Sequence, residues 1–184
     1  MAKKSFGAFL RDAVFTPAGM KGSFVYEGPK AAPRQGPAHA VGNTKGEKGG
    51  WEASWDSPPV RDQKLLTVGD GGVWSSVEDL LRWDAALRAG KLLKPATMRE
   101  ALKPSRTRDG KTNNYGLGWS LYPGEGGALN GYGHDGSWAG FRTSYYRYLA
   151  ADRTTILLSN KGDFDPDKFW YALNDVLEEQ LKGK

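Results

Sequence analysis

The stretch Gly131-Tyr132-Gly133-His134-Asp135-Gly136-Ser137-Trp138-Ala139-Gly140-Phe141 decides how the chain is read. It sets four glycines among three large aromatic residues, an acid and one of the chain's two histidines. Glycine loses more backbone entropy on folding than any other residue, so this density signals unusual dihedrals or another group lying against the main chain. Phe141 then opens the best strand pair in the sequence, which runs to Asn160. Backbone N–H groups at the head of a rigid strand, beside a polar tip, form a binding wall. The stretch reads as the substrate-facing wall of a cleft whose opposite wall lies outside this chain.

Downstream, the alternation of Phe141, Thr143, Tyr145 and Leu149 predicts a strand over 141–149 with these residues on one face. Ala150–Arg153 turns the chain into a second strand, Thr154–Asn160. Its run Ile156-Leu157-Leu158 does not alternate, which predicts burial on both faces. Asp165 then caps a helix with Pro166 in its first turn, and Phe169, Leu173, Val176, Leu177 and Leu181 form a stripe suited to packing on the sheet.

Upstream, Tyr115–Tyr122 alternates and predicts a strand, followed by a turn region at Pro123–Gly127. Gly69–Gly72 is a turn, and Ser75 with Glu78 three residues on forms a capping box. The helix it opens carries Val77, Leu80, Leu81 and Leu87 on one face and stops at Gly90. Pro95 starts a shorter helix through Leu102, ended by Pro104. At the N-terminus Ser5 caps a helix with Phe6, Phe9, Leu10, Ala13 and Val14 at helical spacing, stopped by Pro17 and Gly19. Between them, Gly28–Pro59 reads as a long loop with short strands around Ala38–Val41 and Trp51–Trp55.

With 184 residues, 25 glycines and 12% aromatics, the chain predicts a single loop-rich domain over residues 1–184, of α/β (α+β) class. It has no cysteine, hence no disulfide, thiolate nucleophile or cysteine-bound zinc. His39, Asp70 and Asp79 show no recurring ligand spacing, so no metal and no cofactor are expected. The net charge of +5 is scattered, which argues against nucleic acid as a partner. No apolar run reaches membrane-spanning length, and Met1-Ala2-Lys3-Lys4 leads into an amphipathic stretch instead of a signal peptide; a soluble protein is expected, its compartment undetermined.

Five segments resemble, in order, the serine β-lactamase and penicillin-binding-protein-like family, the branch with class C β-lactamases, D-alanyl-D-alanine peptidases and family VIII esterases. Phe9–Met20 resembles the family helix ending in a "PLGM" turn, with Ala18 in place of Leu. Gly71–Leu80 resembles its Gly-Gly helix start, and Tyr115-Gly116-Leu117-Gly118-Trp119 its "YGLGW" strand. His134-Asp135-Gly136 stands where the family has Lys-Thr-Gly or its His-x-Gly variant, and Leu157–Asn160 resembles the end of its last strand. The resemblance implies the C-terminal portion of the β-lactamase/transpeptidase-like fold, an antiparallel sheet with flanking helices. Members of the family are often periplasmic or secreted.

The resemblance also implies roles. Ser137 would donate its backbone N–H to an oxyanion hole, Gly136 would admit a substrate carbonyl, and His134 would replace the family's Lys, favouring ester or amide hydrolysis over β-lactam binding. Tyr115, Trp119, Tyr132, Asp135 and Trp138 would contact substrate, although Trp119 and Trp138 equally suit a core and Asp135 a turn. The family's nucleophile and base precede the matched region: no Ser here has Lys three residues on, and no Tyr has Asn two residues on. Without them acyl transfer has no first step. The chain is therefore expected to be the C-terminal part of a serine hydrolase, acting on esters, amides or β-lactams when complete and inactive alone. The alternative is a non-catalytic ligand-binding or assembly protein on the same scaffold. Thr154–Asn160 would be an open apolar edge, implying a homo-oligomer, a strand-exchanged dimer or a complementing N-terminal chain.

Overall fold

A computed structural model describes residues 4–27, 39–54 and 68–182. Its framework is a four-stranded antiparallel sheet in the order β5 (Ser120–Pro123), β6 (Leu129–Trp138), β7 (Phe141–Tyr148) and β8 (Arg153–Ser159). The glycine-rich stretch is not a loop ahead of a strand. Its Gly131–Trp138 part makes up most of β6, paired with β7 from Gly131↔Tyr148 to Trp138↔Phe141. The hairpin closes at Ala139 and Gly140, with φ of 47° and 75°. Two consecutive positive φ values make the tight turn whose twist matches the strands it joins. Gly140 is required for a second reason: a Cβ there would collide with Ser54 Oγ and the Asn43 amide.

Two short strand pairs flank the sheet. β1 (Phe24–Val25) pairs with β4 (Val73–Trp74), and β2 (Asn43–Lys45) with β3 (Trp51–Ala53). The strand expected at 38–41 forms instead at Asn43–Lys45, because Asn43 is held by the carbonyls of Asn160 and Gly140. Ala38 and Trp55 lie outside the described residues.

At the N-terminus Ser5 does cap α1 (Phe6–Leu10), accepting from the Ala8 N–H at 3.2 Å. The chain then widens into a π-turn over Arg11–Phe15 and closes as α2 (Thr16–Ala18), ended by Gly19 in the left-handed region. Pro17 lies within α2 and does not stop the helix, which ends at Gly19. The wide turn adds a residue, so Phe15 is buried while Phe9 is 46% exposed and Ala13 is exposed.

Helix α3 (Val77–Arg88) is capped by Ser76, one residue later than the sequence spacing indicates, with its Oγ accepting from the Asp79 N–H. That shift rotates the face: Val77 and Leu81 are exposed, and Asp79, Trp83, Asp84, Ala86 and Leu87 turn inward. Helix α4 (Pro95–Ala101) forms as read. In helix α5 (Pro166–Lys182) the residue that packs on the sheet is Trp170, whose indole N–H donates to Ser144 Oγ at 3.0 Å, while Phe169 and Val176 are exposed. Leu157 is buried, but Ile156 is half-buried and Leu158 is 39% exposed, so the burial expected on both faces of 156–158 holds on the Leu157 face alone; Leu149 lies past the end of β7.

Trp83 joins two apolar clusters. One is Phe15, Met20 and Val25 under the N-terminal helix; the other is Leu121, Tyr132 and Tyr145 on the sheet. Beside it two buried carboxylates fix α3. Asp79 accepts from the Gly22 N–H, Ser23 Oγ and Arg82; Asp84 accepts from Tyr145 Oη at 2.6 Å, Thr154 Oγ1 at 3.0 Å and Arg88 Nε at 2.9 Å. Burial, then Asp84, pushes the Tyr145 phenol far above its ordinary range, so it stays a donor.

Asp84→Ala is expected to destabilise by about 3 kcal/mol, because it strands buried donors rather than exchanging them for a packed apolar pair. Calorimetry would read a Tm lower by about 6–12 °C; an unchanged Tm would show that the three bonds contribute nothing net. For Asp79, burial raises the carboxyl, but the hydrogen bonds from Ser23, Gly22 and Arg82 outweigh it and hold the group below 3.8. A depressed carboxyl stabilises the fold above its unfolded value, and that contribution is lost as pH falls through the folded one. Asp79→Asn should therefore lower Tm at neutral pH, with the gap to wild type closing as pH drops below 3.8. A gap that does not vary with pH would remove the charge from the account.

Candidate functional site

The pairing of β5 with β6 stops at Ser120↔Gly133, while β6 continues to Trp138. From His134 to Trp138 the side of β6 away from β7 therefore has no strand beside it among the described residues. Main-chain groups in an antiparallel strand point alternately to the two sides. The Leu149 N–H donates to Asn130 O, which sets the even residues of β6 toward β7. Asp135 and Ser137 accordingly turn their N–H and C=O groups to the unpartnered edge.

Side chains alternate as well. His134, Gly136 and Trp138 share the face toward α3, while Asp135 and Ser137 lie on the other. His134 is held from two sides: Nδ1 lies 2.7 Å from the Asp135 carbonyl and Nε2 2.7 Å from Tyr115 Oη. The Asp135 carboxylate instead accepts from Tyr146 Oη at 2.9 Å. Burial first, then Asp135, pushes the Tyr146 phenol far up, so it remains a proton donor to that carboxylate. Between His134 and Trp138, Gly136 carries no side chain, and Thr143 Oγ1 fills the space a Cβ would take. Trp138 is 43% exposed and stands beside the turn at Gly71, where a Cβ would approach its Cγ to 3.8 Å.

That turn is positioned by an aromatic chain. Trp74 stacks on Phe24 at 5.9 Å and meets the edge of Phe141 at 5.3 Å, so β1 and β4 are anchored near the tip of the hairpin. Tyr115 makes a lone antiparallel bridge to Ser120 across a turn, instead of the expected strand over 115–122: the Gly116 N–H donates to Trp119 O, Gly118 has φ of 80°, and β5 begins only at Ser120. Gly116 presses against the Ala101 carbonyl, where no side chain fits.

The structure thus brings Tyr115, His134, Asp135, Gly136, Ser137 and Trp138 together along one edge. It sends Tyr132 and Trp119 elsewhere. Tyr132 is 5% exposed in the core, and Trp119 stacks on Trp83 at 5.7 Å and meets Tyr132 edge-on at 4.9 Å. Gly133 is covered by the neighbouring strand, with Tyr146 Cδ1 2.7 Å from where a Cβ would lie. Sequence reading missed Tyr146, Thr143 and Gly71 as neighbours of the edge. The signal for the first two was the cross-strand register, which needs the hairpin turn to be placed correctly first. Among the described residues no group of three or more His, Asp or Glu could hold a metal ion, and no helix is long and apolar enough to cross a membrane.

The sequence matches the family model Beta-lactamase over residues 1–177. It is 31% identical over 167 residues to penicillin-binding protein 4* of Bacillus subtilis (strain 168), covering 86% of this chain and 36% of that protein. A penicillin-binding protein from Bacillus halodurans superposes with a TM-score of 0.75 at 20% identity, covering 94% of this chain and 50% of the other. A D-amino acid amidase from Ochrobactrum anthropi SV3, complexed with L-phenylalanine, gives 0.61 at 23% identity, covering 88% and 45%. At these identities the two structural likenesses are ones of fold, and the chain spans half or less of each relative's length. An antiparallel sheet with flanking helices, matched in order by a family model along nearly all of its sequence, places this chain in the β-lactamase family.

Proposed function

We propose that the chain forms the sheet-side wall of an acyl-hydrolase site, taking the carbonyl of an ester, amide or β-lactam along His134–Trp138. The observation that carries this reading is the unpartnered edge of β6, with the Ser137 N–H directed outward beside Gly136, which has no side chain. A backbone N–H fixed in a strand needs no reorganisation to meet charge developing on a carbonyl oxygen, and one such donor is worth about a hundred- to a thousandfold in rate. Gly136 keeps side-chain bulk away from that oxygen, and Trp138 offers an apolar flank. The nucleophile and base come from a Ser-x-x-Lys and Tyr-x-Asn segment, which these 184 residues do not contain. The chain does not turn over acyl substrates unaided.

The edge of β8 is the second part of the reading. Among the described residues it pairs only with β7, and Leu158 on it is 39% exposed, as are Val77 and Leu81 on α3 to similar degrees. A second polypeptide, a further copy or a complementing half, covers this edge.

Nitrocefin and p-nitrophenyl acetate should give no turnover with the chain alone, and turnover once a polypeptide bearing the two missing motifs is added. Ligand binding without turnover in either arm would favour the non-catalytic binding protein. Ser137→Pro removes the outward N–H without touching the β6–β7 ladder, as proline is tolerated on a strand edge. In the complemented system it should cost about a hundredfold or more in kcat with Tm little changed; full activity would take Ser137 out of the reaction. Light scattering should show a dimer or larger species for the chain alone, and a monodisperse monomer would remove the β8 interface.

A further inference from the structure

The two hydrogen bonds on His134 have a consequence for the tyrosine behind it. A carbonyl oxygen carries no proton, so the bond to Asp135 O puts the hydrogen on Nδ1. A neutral ring then has only a lone pair at Nε2, and Tyr115 must donate its single hydroxyl proton to it. What remains on Tyr115 Oη is lone pairs. The ring is 39% exposed beside the β6 edge, and the two rings meet edge-on with centroids 5.7 Å apart. No Lys or Arg hydrogen-bonds either ring among the described residues.

Tyr115 is also held still. Its N–H donates to Asn113 Oδ1 at 3.1 Å, its carbonyl accepts from the Ser105 N–H at 2.9 Å, and the next residue abuts the end of α4. A fixed oxygen that can only accept is a selector. We propose that Tyr115 sorts ligands of this cleft by hydrogen-bond donors, accepting from the ammonium or amide N–H of an amino-acid amide and turning away a carboxylate at the same place. This deepens the proposed function and rests on reading His134–Trp138 as a ligand wall.

The selection has a built-in reversal. When His134 takes up a proton, Nε2–H donates to Tyr115 Oη, and the tyrosine proton turns outward. The pair then offers a donor and favours carboxylates. Among the described residues, the Asp135 carboxylate is on the opposite face and held by Tyr146, while Tyr132 and Tyr145 share the ring's face, the latter engaged by Asp84.

Binding of D-phenylalaninamide and N-acetyl-D-phenylalanine to the full chain, followed by amide NMR shifts, tests this. At the higher pH the amide should bind about tenfold tighter, and acid that protonates His134 should shrink or invert the preference. Tyr115→Phe should lower amide affinity several-fold at the higher pH and abolish the pH effect on preference. Nitrogen-15 spectra of His134 in the unaltered chain should show Nδ1 protonated and Nε2 bare at the higher pH. The opposite tautomer overturns the proposal whether or not the variant folds. Equal affinities with shifts along Asp135–Trp138 also overturn it while leaving the edge a ligand wall. No shift along that edge with either probe overturns both readings.

Discussion

The carboxylate of Asp84 holds the molecule together at its most consequential joint. It stands inside the protein, where an unpaired charge would cost several kcal/mol, and it is satisfied by donors from α3 itself, from β7 and from β8. Three elements distant in sequence must therefore sit in one arrangement for any of the three bonds to form. Since β7 is the partner of β6 along the whole candidate wall, the placement of the wall against the helix layer follows from this one group. Trp83, the preceding residue, extends the same joint into the two apolar clusters. Asp79, five residues earlier, ties the other end of the helix to the segment that leads into β1. A helix with two buried acids is an unusual way to build a core. It yields directional bonds where a leucine stripe would allow sliding.

Sequence reading reached the elements that local chemistry specifies. The serine at the head of α1, the proline at the head of α4 and the strand pair after Phe141 all form where turn and cap residues put them. It failed where tertiary contacts decide. The π-turn at 11–15 and the one-residue shift of the cap to Ser76 each rotate a helix, and no periodicity in a single sequence distinguishes the rotated face from the unrotated one. Tyr115–Trp119 alternates like a strand yet forms a turn, because Gly116 must fit against the end of α4 and Gly118 takes a positive φ.

The candidate site was legible in kind and less so in detail. Glycine density in 131–141 marked close approaches, and there are such approaches, but some are made by the protein's own groups: Tyr146 over Gly133, and Ser54 and Asn43 at Gly140. Gly136, between the two residues that turn to the open edge, meets only a threonine side chain. Tyr132 and Trp119 went to the core because the aromatic cluster around Trp83 needed area to bury, and large rings supply it. Tyr115 and His134 were separately visible; that they meet depends on the turn that replaced a strand.

The tip of the β6–β7 hairpin carries a further consequence. Gly42 and Gly140 let the 42–43 segment cross the turn in direct main-chain contact, with the Ala139 carbonyl where a side chain on Gly42 would be. A hairpin pinned at its far end cannot splay or change register, so the edge of β6 is already in its final shape before anything arrives. A ligand laid along it is spared the entropy of ordering the receptor and loses only its own freedom. Short ligands making few contacts are therefore the ones such an edge is built to hold.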